Sequence, residues 1–176
     1  MDVAAFILSL VALLATALVG YLTLHLTRQS TSTRVLIDLF TEHRSDRLAQ
    51  ARRYVNEVLP TYSVGPQGLD QLPENDRLLV RDLCWFYDNL GVLVHYEVVD
   101  VVPIAGYLGG SVKDVWIKVK PWVEAERAKR LAAGSADAGR WQEYFEILYD
   151  KVDAFDLPSF RSPLRLPWYK RIVRHV

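Results

Sequence analysis

The chain has 176 residues, in which 21 Lys plus Arg balance 21 Asp plus Glu. That length leaves room for one domain beyond any anchor, and the balance lacks the basic excess of a general nucleic-acid binder. A single cysteine, Cys84 in the apolar run Leu83-Cys84-Trp85-Phe86, excludes an internal disulfide framework and reads as a small buried side chain.

The first predicted element is a transmembrane helix, assigned to residues 1–28. Val3 to Leu26 contains no Asp, Glu, Lys or Arg; as a helix it would be about 36 Å long, enough to cross a hydrocarbon core of about 30 Å with some tilt. A cleaved signal peptide is opposed by the cation-free start Met1-Asp2 and by an apolar run that continues past Ala17. Asp2 precedes the span and Arg28 and Arg34 follow it. Cation retention then predicts a single pass through an inner (cytoplasmic) membrane, with the N-terminus outside and the domain in the cytoplasm. Ala5, Ser9, Ala12, Thr16, Gly20, Thr23 and Thr27 share one narrow arc, opposite Ile7, Leu10, Leu14 and Leu18. Such a small-residue stripe is expected to pack against a partner helix.

Residues 29–156 read as a soluble bundle of four or five helices, so the expected fold class is all-α. The polar joint Gln29 to Thr33 offers Ser32 as an N-cap for a helix running to Pro60, with Leu36, Leu39, Phe40, Ala51, Tyr54, Val55 and Val58 at helical spacing and His43 bordering the core. A loop rich in Gly and Pro follows, to Asn75. From Asp76 to Tyr96 a broad apolar stripe (Leu79, Leu83, Phe86, Tyr87, Leu90, Leu93, Val94) predicts the central helix, and Gly91 inside it predicts close approach to a neighbour. Asp100 is expected to cap a short helix ended by Gly109-Gly110, and Ser111 with Asp114 to start the next, kinked or restarted near Pro121. After a flexible connection, Ala132 to Gly139, the last amphipathic helix is expected over Trp141 to Phe155.

Leu157 to Val176 is a separate object, an extended tail with Pro158, Pro163 and Pro167, five cations and no acid, while Pro60 to Asp156 is net negative. Arg161, Arg165, Trp168, Tyr169, Lys170, Arg171 and Arg174 are its candidate contacts, suited to an anionic lipid surface or to a partner groove.

Ala51-Arg52-Arg53-Tyr54-Val55, the run Trp85 to Val94 (WFYDNLGVLV), Asp100, Trp116, Pro121 and Tyr144-Phe145-Glu146 together resemble an uncharacterised bacterial family, the domain of unknown function 4760. The resemblance spans roughly residues 34–150 and implies an all-helical fold, many members placing a hydrophobic helix before the domain. It carries over no activity and no catalytic residue.

Chemistry is sparse. His25, His43, His95 and His175 are too scattered for a metal site, no Gly-x-Ser-x-Gly turn is present, and Gly106 to Gly110 lacks the strand and the Gly-Lys-Ser or Gly-Lys-Thr of a phosphate loop. No enzyme, cofactor, metal or small-molecule substrate is expected. The leading expectation is a membrane-anchored accessory or scaffolding subunit that contacts other membrane-protein subunits or itself, with a respiratory or photosynthetic complex as one host. The rival is a membrane-tethered regulator, or a phage-defence or stress effector, whose helical domain senses a cytoplasmic ligand.

Overall fold

The computed structural model describes the backbone of residues 3–155, and the side chains of all of these but 4–6, 8 and 24–32. Every regular element there is helical, and no strand occurs among the described residues. The order is α1 (Val3–His43), α2 (Asp46–Arg53), a π-helical turn (Tyr54–Val58), a 3-10 turn (Leu59–Thr61), a second 3-10 turn (Gly68–Gln71), α3 (Glu74–His95), α4 (Val101–Ala132), a third 3-10 turn (Ala138–Arg140) and α5 (Glu143–Asp153).

The all-helical expectation therefore holds, but the transmembrane anchor is corrected. Among the described residues no helix is long and apolar enough to cross a membrane. The single-pass placement, with the N-terminus outside, rested on that helix and loses its basis. The expected joint at Gln29 to Thr33 and the Ser32 cap are corrected too, because α1 runs through them without a break. The real break is Arg44-Ser45, where the Ser45 hydroxyl accepts from the Leu48 amide and starts α2.

The core lies on α2 to α5. Leu48, Val55, Leu83, Leu90, Val115, Trp116, Phe145 and Leu148 are among its buried members. Tyr87 and Phe145 stack with ring centroids 4.8 Å apart, and Trp116 meets Phe145 edge-on at 4.8 Å. Among the described side chains of α1, those of the last turns join in: Val35, Leu36, Leu39 and Phe40 rest on the cluster, and Phe40 packs on Tyr107 of α4 at 4.5 Å.

Helix α4 departs from expectation by running unbroken from Val101 to Ala132, through Gly109, Gly110, Ser111 and Pro121. Asp100 does cap it, accepting from the Val102 amide at 2.9 Å. A glycine in mid-helix costs only about 1 kcal/mol, and the buried row Leu108, Val112, Val115, Trp116 and Val119 outweighs it. Pro121 sits on the exposed side, where water can satisfy the carbonyl that loses its donor. Both α3 and α4 end in paired reverse bonds: Val98 N–H to Leu93 C=O with Glu97 N–H to Val94 C=O, and Ser135 N–H to Arg130 C=O with Gly134 N–H to Leu131 C=O. Gly134 adopts the required left-handed φ of 80° at no steric cost, whereas Glu97 takes the same role at 57° with a side chain.

Candidate functional site

Three places in the molecule carry more than packing. The first is the joint between α1 and the bundle. His43 ends α1 and is buried there, its Nε2 lying 3.2 Å from the Tyr87 hydroxyl of α3 and 3.4 Å from the Ser111 hydroxyl of α4, which are themselves 2.7 Å apart. Arg52 of α2 donates to the His43 carbonyl, so four helices meet at one residue. Burial, aided by the Arg52 charge, pulls the His43 imidazole down to about 4, and it stays neutral at physiological pH. The expectation that His43 only borders the core is too weak. Ser111, read as a helix start, is instead a mid-helix partner of this trio. The glycines before it hid that role, because they look like a helix end.

The second place is the junction of α3 with α5, which explains the run WFYDNLGVLV. A Cβ built on Gly91 would lie 2.0 Å from the Tyr144 carbonyl oxygen, so no other residue lets the two helices approach this closely. One turn earlier on the same face, Asp88 accepts from the Phe145 amide at 3.0 Å. That bond caps α5 from outside, since Gln142, the residue before α5, has a left-handed φ of 60° and contributes no side-chain cap. Burial raises the Asp88 carboxyl above its usual range, although the amides of Phe145 and Tyr144 oppose the shift. Cys84 is buried one turn before Asp88, and burial pushes its thiol up to about 12, far from thiolate reactivity.

The third is the front of α1. Val3, Ile7, Leu10, Val11, Leu13, Leu14, Leu18, Val19, Tyr21 and Leu22 are all between 47 % and 71 % exposed. Of the expected small-residue stripe, Ser9, Ala12, Thr16, Gly20 and Thr23 are exposed on this helix, while the side chains of Ala5 and Thr27 fall outside the described ones. Thr16 and Thr23 donate to the carbonyls of Ala12 and Val19 one turn back, at 2.9 and 2.8 Å. Ala15, Thr16, Val19 and Gly20 line a groove of about 430 Å³. The tail candidates Arg161, Arg165, Trp168, Tyr169, Lys170, Arg171 and Arg174 all lie outside the described residues.

Among the described residues no group of three or more His, Cys, Asp and Glu side chains is placed to hold a metal ion. The sequence matches no curated protein, and no solved structure resembles it. A family model does match residues 4–152, which covers α1 through most of α5, and the chain belongs to that family, described as a domain of unknown function (DUF4760).

Proposed function

We propose that the protein is a non-catalytic accessory subunit that joins a larger assembly by docking the front of α1 against an apolar helix of a partner protein, with the bundle as the body it presents. The observation that carries this reading is the set of large apolar side chains on residues 3–22 that nothing in the bundle covers. A contiguous apolar surface of this kind is costly in water and marks an interface. Val3, Ile7, Leu10, Leu14 and Tyr21 recur at spacings of four, three, four and seven, the repeat with which one helix seats in another. The groove beside Thr16 and Gly20 offers space for the partner's bulky side chains.

The test is copurification of the full chain with its assembly, compared with the double substitution Leu10→Glu and Leu14→Glu. The expected result is an unchanged bundle, judged by circular dichroism, and loss of the partner. Retention of the partner by the double variant, or self-association as the sole product, overturns the reading.

The rival, a regulator whose helical domain senses a small ligand, is favoured by a separate feature of the bundle, a basic cleft far along α3 and α4 from α1.

A further inference from the structure

The bundle is net acidic from Pro60 to Asp156, yet one cleft in it is positive. It has a volume of about 470 Å³, inside the range of roughly 300–1,000 Å³ typical of small-molecule sites. Its cations come from two helical rows: Arg77 and Arg81 one turn apart on α3, and Lys129 and Arg130 on α4. Asp70 and Glu126 are its only carboxylates, which leaves two positive charges in excess.

Three of the cations are fixed by those acids. Lys129 Nζ lies 2.6 Å from Glu126 and 2.8 Å from Asp70, and Arg77 Nη1 lies 3.1 Å from Asp70. Glu126 is itself buried, bonded to Arg130 Nε at 3.2 Å and accepting from the Leu69 amide at 3.4 Å. The glycine at 68, with its left-handed φ of 56°, allows this approach, because a Cβ there would lie 2.7 Å from the Glu126 carboxylate. The framework is thus preorganised. Arg77 Nε is buried without an acceptor, and Arg81 has no carboxylate partner among the described residues.

Two indoles complete the wall. Trp85 follows Arg77 and Arg81 on the same face of α3 and is half exposed, which leaves an indole surface open to stacking. Trp141 lies across the cleft with the Arg130 guanidinium 5.2 Å from its ring centre.

We propose that this cleft binds a small phosphate monoester carrying a planar ring, the chemistry of a nucleoside monophosphate. A phosphate monoester brings a charge of about −1.5 to −2 near neutral pH, which matches the excess of two, and guanidinium forks with a lysine are its usual cradle. The ring seats against Trp85. Helix α1 supplies none of the lining residues, so the inference stands or falls separately from the docking of α1.

The probe is a panel of ribonucleoside monophosphates titrated into the full-length protein, followed by calorimetry and by tryptophan fluorescence. Saturable binding is expected, weakening as salt rises. Adenosine alone and inorganic phosphate alone should each bind at least about tenfold more weakly than the best monophosphate, because each keeps half of the contacts. Arg81→Glu, at an exposed position, should weaken binding by at least about tenfold, Trp85→Ala should weaken it and reduce the fluorescence response, and Lys120→Glu outside the cleft should leave it unchanged. Circular dichroism verifies that each variant is folded. The proposal is overturned if no monophosphate gives saturable binding, if phosphate alone binds as well as the esters, or if folded Arg81→Glu and Trp85→Ala bind as the natural chain does.

Discussion

The front of α1 and the helix α3 are both rich in large apolar residues, yet one lies open and the other forms the centre of the core. On α3 the buried positions Val80, Leu83, Cys84, Tyr87, Leu90, Gly91 and Val94 fall on one side, and Arg81 and Glu74 are left to the other. A stripe of that kind tells the chain which face is inside. On residues 3–22 of α1 most of the large apolar side chains lie opposite the stripe of Ser9, Ala12, Thr16 and Gly20, and none of the described ones is covered by the bundle. Both helices are one-sided, and what separates them is whether the rest of the chain supplies a covering face.

That comparison can be broken most directly by the same truncation in both regions. Leu90→Ala in the core is expected to cost about 2–5 kcal/mol of unfolding free energy in denaturant titration. An effect near zero would mean that α3 is not the centre of the structure. Gly91→Ala comes next, at about 3 kcal/mol, because the Tyr144 carbonyl cannot yield to a methyl group and α3 must move off α5. A second Gly→Ala change, at Gly106 where nothing lies within 4 Å, should be neutral or slightly stabilising, which separates packing from helix propensity.

Acid should sharpen the view of how α1 is fastened. His43 has a folded value of about 4 against an ordinary 6.5, so between these the unfolded chain binds a proton that the folded one excludes. Stability is therefore fully present above about pH 6.5, falls as pH drops toward 4, and then levels off. Allowing for partial solvent screening, the loss is on the order of 2 kcal/mol. Stability curves of His43→Gln should be flatter over that window, and a variant as acid-sensitive as the natural chain would remove His43 from this role.

Loss of the external cap by Asp88→Ala is expected to cost about 1 kcal/mol, visible as earlier fraying of α5 in amide exchange. The smallest effect belongs to Leu14→Ala, within about 0.5 kcal/mol of zero. A loss comparable to that of Leu90→Ala would show that the front of α1 is packed on its own bundle after all.

Much of the domain was legible in the sequence, because its signals are local. The Asp100 cap, the stripe of α3 and the close approach at Gly91 all sit where the residue pattern places them. What escaped was decided by tertiary contact. Gly109-Gly110 carries every sign of a helix end, but burial on both sides of it keeps α4 whole. The break after His43 was invisible, since the apolar spacing continues across it and only the Ser45 hydroxyl marks it. The cap of α5 comes from Asp88, 57 positions away, beyond the reach of any local rule. The basic cleft had a partial signature: Arg77, Arg81 and Trp85 stand four apart along one helix, but the matching row on α4 is joined to it only by folding.

The claim on which the functional reading turns is that the front of α1 is covered by another protein. A photo-crosslinking amino acid in place of Leu14, in the full-length protein within its native cells, tests it most directly. The account predicts adducts with a different polypeptide, mapped to an apolar helix and lost when Leu10 is changed to Glu. Adducts confined to this chain's own bundle, or to a second copy of the chain, would contradict it.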